Sequence, residues 1–204
     1  MIVIGLTGAS GAGKGEVSRL FNDRGIPSID TDEVYRRLIQ SPSPCVSELV
    51  AYFGEEILDL NGGVDRKKLA DIVFCGGEEQ RIHLANLNRI THKHILRSCR
   101  ISMNHFQERG ATGCIVDAPL LFEASFEKEC DYVIAVVADR ETRINRIMRR
   151  DFITRAEAVA RIDAQKDDSY YIERSDFVIH NDGHIDLLAG QVDAIMRQIF
   201  QAGG

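Results

Sequence analysis

The 204-residue chain carries 31 acidic side chains against 25 lysines and arginines, a formal net charge of −6, with 44% hydrophobic and 27% charged residues. This is the composition of an ordinary globular protein, large enough for one substantial core and an inserted subdomain, and its acidic balance excludes a general nucleic-acid binder, which needs a basic surface. Cys45, Cys75, Cys99, Cys114 and Cys130 are odd in number, widely spaced and without a C-x-x-C, so they read as reduced thiols rather than zinc ligands or a redox pair.

The chain opens on MIVIGLTG, a strand-like run at Ile2–Leu6. It has neither the basic start nor the length of a secretory signal or a membrane span, so a soluble, cytosolic protein without a membrane partner is expected. The strand runs into GLTGASGAGKGEVSRLF, residues 5–21, where Gly8, Gly13 and Lys14 satisfy G-x-x-x-x-G-K. The motif normally continues with Ser or Thr; here Gly15 follows, then Glu16. Val17-Ser18-Arg19-Leu20-Phe21 has an amphipathic helical pattern, so the string lies between a strand and a helix as a phosphate cradle requires. In that setting the backbone of Gly8, Ala9, Ser10, Gly11, Ala12, Gly13, Lys14, Gly15 and Glu16 wraps an anion at a helix N-terminus, with Lys14 reaching the β- and γ-phosphates. A glycine-rich turn without a ligand is the alternative. The dinucleotide fingerprint G-x-G-x-x-G is not met, since the glycines run Gly8-x-x-Gly11-x-Gly13.

A second strand run, Ile26–Ile29, leads into IDTDEVYRRL. Asp30 with Glu33 has the spacing of a capping box, and Asp32 lies in the first turn at the carboxyl end of a strand, where ligands bind in open α/β sheets. A carboxylate there can accept a proton from a substrate hydroxyl. The long stretch to the third strand, Cys114–Val116, exceeds what one crossover helix requires; it reads as several helices punctuated by Gly54 and Gly62-Gly63, with one long helix over Arg81–Phe106. His92 and His94, two apart on that helix, face different ways and read as non-ligands. The third strand ends in Asp117, placed to hold magnesium or its waters beside phosphates. A fourth strand, Tyr132–Val137, precedes helices at Arg140–Arg150 and Ala156–Gln165 around Phe152-Ile153-Thr154, and Phe177–Ile179 is the fifth. Arg143, Arg146 and Arg150 share a helical face, either as a clamp on transferring phosphates or as a solvated face neutralised by Glu141 and Asp151. Strands alternating with helices imply an α/β fold: a mostly parallel five-stranded sheet with helices on both faces.

The ordered series IDTD, FGEEIL…GGVDRKKLADIVF, DAPLLFE, RIMRRD, ARIDAQ and SDFVIHNDG, added to the loop, resembles the dephospho-coenzyme A kinase family along nearly the whole chain. The resemblance implies a single P-loop kinase domain over 1–204, of the nucleoside-monophosphate kinase-like type. Within it lie a helical coenzyme A subdomain over 40–110 and a lid over 139–175. It implies transfer of the ATP γ-phosphate to the ribose 3′-hydroxyl of dephospho-coenzyme A, with ATP and Mg²⁺ required and a monomer or weak homo-oligomer as the working form. By the same resemblance Asp32 is the base, Asp30 and Asp117 serve the metal, Arg146 and Arg150 are lid arginines, and Arg66, His92 and Leu120 meet the acceptor. The departures are Gly15-Glu16 in place of Ser-Thr, Lys93 in place of the proline of a His-Pro pair, and Tyr171 in place of a basic residue; adenylate kinases resemble this loop in having G-K-G. A same-fold kinase for another hydroxyl acceptor, or a relative that binds ATP or coenzyme A without turnover, remain the alternatives.

Overall fold

A computed structural model describes residues 1–201, which fall into two compact units: 1–29 with 106–201, and Asp30–His105. The first is built on a five-stranded sheet of order β2-β3-β1-β4-β5, formed by β1 (Ile2–Thr7), β2 (Ser28–Asp30), β3 (Gly113–Asp117), β4 (Tyr132–Val137) and β5 (Phe177–His180). β1 is central, parallel to β3 from Ile2↔Gly113 to Leu6↔Asp117 and to β4 from Ile4↔Tyr132 to Thr7↔Ala135. β5 lies parallel to β4. The strands read as unbroken apolar runs because both faces are covered. On one face Ile4 and Leu6 pack with Val17, Leu20 and Phe21 of α1 (Lys14–Asn22) and with Val192, Ile195 and Ile199 of the final helix, Ile185–Gln201.

The second strand begins later than its apolar residues predict. The Ile26 N–H is already bonded to the Phe21 carbonyl, and Pro27 has no N–H, so only the Pro27 carbonyl meets β3, accepting from Ile115 at 2.8 Å.

The second unit has its own core. It holds α2 (Thr31–Ile39), α3 (Pro44–Phe53), α4 (Arg66–Val73) and most of α5 (Gly77–Glu108), the long helix, which extends beyond its predicted ends. Ile39, Leu49, Phe53, Ile57, Leu69, Val73 and Ile90 pack together there. Ser43 caps α3, with Pro44 opening the helix, and Asp65 caps α4.

Back in the first unit, α6 (Arg140–Asp151) and α7 (Arg155–Asp163) form a hairpin closed by Ile144, Ile147, Ala158 and Ile162; a short α8 (Asp168–Ile172), absent from the sequence reading, follows. α7 opens with a full capping box between Thr154 and Glu157. At the tip, Phe152 ends α6 in the left-handed conformation, φ 54°, with 94% of its surface exposed. A non-glycine residue there costs about 1–2 kcal/mol, and an exposed ring recovers little of it. Phe152→Gly is therefore expected to stabilise by roughly 0.5–1 kcal/mol after the added unfolded-state entropy, raising the melting temperature by about 1–4 °C in a thermal scan. A fall instead would mean that the ring makes stabilising contacts.

Candidate active site

The loop between β1 and α1 is shaped by three glycines at positive φ: Gly8 at 140°, Gly11 at 81° and Gly13 at 95°. Each also lies against something a side chain would strike. A Cβ on Gly8 would come within 2.2 Å of the Val136 carbonyl, on Gly11 within 2.8 Å of the Arg143 carbonyl, and on Gly13 within 2.1 Å of Asn181 Nδ2. Gly13 is the N-cap of α1, so the first N–H groups of that helix open at the loop, where backbone donors and the helix dipole favour an anion.

Four of the loop's carbonyls are each met by a side chain. Lys14 Nζ donates to Gly8 O at 3.0 Å, and Arg143 Nε to Ser10 O at 3.1 Å. Arg146 Nη1 donates to Gly11 O and Ala12 O at 3.3 Å each, while Asn181 Nδ2 also reaches Ala12 O at 2.8 Å. Arg146 Nη2 in turn donates to Asn181 O at 2.9 Å. Arg150 reaches the Ser10 hydroxyl at 3.3 Å. The three arginines that share a helical face thus all meet the loop. Asn181, buried just beyond β5, was missed by the sequence reading; its signal was a polar residue directly after an apolar strand.

The solvated-face reading holds for the rim. Arg140 pairs with Asp163 at 2.7 Å, Arg155 with Glu141 at 2.7 Å, and Asp151 takes both Arg150 and Arg161. Hydrogen bonding from Arg150, with help from Arg161, holds the Asp151 carboxyl down at about 2. Exposed pairs of this kind contribute little to stability but keep like charges on one helix from repelling.

In the first turn of α1 Gly15 has no side-chain oxygen, and a Cβ there would meet nothing within 4 Å. Glu16 turns along α1 to Arg19, Oε1 to Nη2 2.6 Å, and Arg19 also pairs with Asp23 at 2.9 Å. The hydrogen bond from Arg19 lowers the Glu16 pKa, so its charge is met on the outside of the helix. One turn beyond Gly15, the buried Ser18 donates to Asp117 Oδ2 at 3.4 Å. A carboxylate with a neighbouring hydroxyl suits Mg²⁺, which keeps several waters and takes its other ligands from phosphates. Leu120 lies half exposed in the turn after β3.

In the second unit Asp30 caps α2, its Oδ1 accepting from the N–H groups of Asp32 at 2.8 Å and Glu33 at 3.1 Å. The Asp32 carboxylate is exposed on the first turn. Arg66, also exposed, opens α4 and acts electrostatically on Tyr35, whose phenol burial pushes up in pKa while Arg66 opposes the shift. His92 is half-buried, whereas His94 is buried with Nε2 3.2 Å from Glu48, a carboxylate that Lys93 also reaches at 2.7 Å.

A family model for dephospho-CoA kinase matches residues 2–186. The chain is 34% identical to the dephospho-CoA kinase of Bacillus cereus over 196 residues, 96% of each chain, and 36% identical to that of Listeria innocua over 189 residues, 93% of this chain and 92% of the other. Among solved structures, the crystal structure of TT1252 from Thermus thermophilus superposes with a TM-score of 0.78 at 29% identity, covering 97% of both chains. Dephospho-CoA kinase from Campylobacter jejuni gives 0.69 at 24%, covering 99% of this chain and 98% of that one, a likeness of fold.

The loop geometry makes one substitution decisive. Gly8→Ala combines a disfavoured φ with a clash against strand backbone, and should cost about 2–4 kcal/mol of stability. Chemical denaturation would measure it; a change under 1 kcal/mol would mean that the loop can reach this form without glycine there.

Proposed function

The chain belongs to the dephospho-CoA kinase family, and from that premise we propose which of its residues carry the reaction. The enzyme phosphorylates dephospho-CoA with ATP, giving CoA. The observation that carries the proposal is the set of loop carbonyls satisfied within the protein by Lys14, Arg143, Arg146 and Asn181, in a loop that opens on the N-terminus of α1, where backbone donors and the helix dipole favour an anion. Phosphoryl transfer asks for positioning and charge stabilisation more than covalent chemistry.

In this reading the loop from Gly8 to Glu16 takes the ATP phosphates and Lys14 the β- and γ-phosphates. Asp117, oriented by Ser18, and Asp30 serve magnesium, which when bound neutralises charge between the phosphates. Asp32 accepts the proton of the ribose 3′-hydroxyl as it attacks. Arg146 and Arg150 offset charge on the transferring group. Arg66, His92 and Leu120 hold the acceptor, residues 40–110 forming its subdomain and 139–175 the lid, all within one P-loop kinase domain. We further place the enzyme in the cytosol as a monomer or weak homo-oligomer whose partners are its two substrates; no described helix is long and apolar enough to cross a membrane. The pairing of Glu16 with Arg19 offsets one of the two features, Gly15 and Glu16, that suggested a non-catalytic relative.

A coupled assay of ADP release with dephospho-CoA tests the assignment of Asp32. Asp32→Asn should lower turnover by about a hundredfold or more, the range of general-base catalysis, with ATP affinity nearly unchanged. Collapse of ATP binding with turnover per complex preserved would make Asp32 a nucleotide or metal residue.

Gly15→Ser tests the metal side. The added side chain meets open space, so the variant should fold, and its hydroxyl adds a ligand. Half-maximal activity should then need several-fold less free magnesium than in the wild type, with tighter magnesium binding to the ADP complex by calorimetry. Equal demand in both would mean that Asp117 and phosphate already complete the site.

A further inference from the structure

Among the described residues Arg143 is the only buried lysine or arginine, with 5% of its surface exposed. Burying a guanidinium is unfavourable unless its N–H groups find acceptors, so its partners indicate what the burial serves. Nε donates to Ser10 O at 3.1 Å, Nη1 to Asp168 Oδ1 at 3.1 Å and Nη2 to Gln165 Oε1 at 3.4 Å. The same Gln165 oxygen accepts the Ser10 N–H at 3.0 Å. Both backbone polar groups of Ser10, at the crown of the loop, are therefore fixed by one pair of side chains. The acceptors lie beyond α7 and in α8, so the crown is tied to that segment through a single planar fork.

The surroundings are built to keep this charge in place. The backbone of Arg143 lies directly against the crown, where a Cβ on Gly11 would meet its carbonyl at 2.8 Å. Tyr171 packs on Ala9 of the loop; burial raises its phenol pKa, so the ring stays neutral, and Arg143 opposes that rise electrostatically. Asp168 supplies one carboxylate, itself one-third exposed.

We propose that Arg143 is a positioning residue for the nucleotide phosphates, which with Gln165 and Asp168 sets the crown of the loop according to the placement of the α7–α8 segment. In this role its side chain touches no substrate; it differs from Arg146 and Arg150 in being buried, with Nε, Nη1 and Nη2 each donating to a protein acceptor. The proposal rests on the reading that the loop takes ATP phosphates.

Calorimetric ATP binding, steady-state kinetics and thermal melting of Arg143→Met, Arg143→Lys and Gln165→Leu test it. Loss of one charge-assisted hydrogen-bond set should weaken ATP binding by about tenfold or more in Arg143→Met. The KM for dephospho-CoA should stay within about twofold, because the acceptor does not use the loop. Arg143→Lys keeps the charge but loses the fork, and should recover part of the affinity. Gln165→Leu, at an exposed position, should weaken ATP binding without lowering the melting temperature, and covers the case in which Arg143→Met does not fold. The Arg143→Met, Gln165→Leu double variant should be no worse than Arg143→Met alone, as for residues acting through one unit. Wild-type ATP affinity in both Arg143→Lys and Gln165→Leu would overturn the proposal. If the wild type itself bound no ATP, the reading of the loop would fall, a separate outcome.

Discussion

A loop that turns its N–H groups toward an anion has to find other donors for its carbonyls, because a buried backbone group without a partner costs about 1–3 kcal/mol. Much of the first unit follows from that requirement. The Gly8, Ser10, Gly11 and Ala12 carbonyls take their hydrogen bonds from Lys14, Arg143, Arg146 and Asn181, residues drawn from α1, from α6 and from the end of β5. Order in the loop is thus supplied from behind, before any ligand contributes. Such preorganisation is what phosphoryl transfer needs, since donors that must be reoriented during the reaction stabilise its charge less.

The same requirement accounts for arginines in an acidic protein. A guanidinium fork can serve separate carbonyls from its two amino groups, as Arg146 does through Nη1 with Gly11 and Ala12 and through Nη2 with Asn181, and a lysine cannot match that planar geometry. Arg140, Arg150, Arg155 and Arg161 of the hairpin are balanced by Asp163, Asp151 and Glu141 at the rim. The charge run therefore divides by depth: the buried Arg143 and the half-buried Arg146 reach loop backbone, while Arg140, Arg155 and Arg161 at the surface pair with acids alone.

The charge that Glu16 adds is met locally. A glutamate in the first turn gains from the helix dipole but would oppose bound phosphates. Arg19, one turn on, draws the carboxylate outward, and Ser18 places a hydroxyl beside Asp117. The i, i+3 spacing from Glu16 to Arg19 meets the added charge within α1, while Ser18 lies on the buried side of the same helix.

The alternation of apolar strands with amphipathic helices, and the spacing of Gly8, Gly13 and Lys14, determined the sheet, the loop and the long helix from the sequence alone. Those features depend on local periodicity and backbone sterics, which a linear string displays. The start of the second strand was misread because Ile26 is apolar, yet its N–H is spent on Phe21. Equally hidden were the roles of Asn181, Ser18 and Gln165, and the division of labour among Arg143, Arg146 and Arg150. Arg143 and Ser10 are 133 positions apart, and Asn181 and Ala12 are 169 apart. Which donor meets which carbonyl is set by how β1, β4 and β5 align in the sheet and by where α6 then crosses the loop, and only the tertiary structure fixes that, because residue type says which groups can donate or accept while distance and direction decide which of them bond.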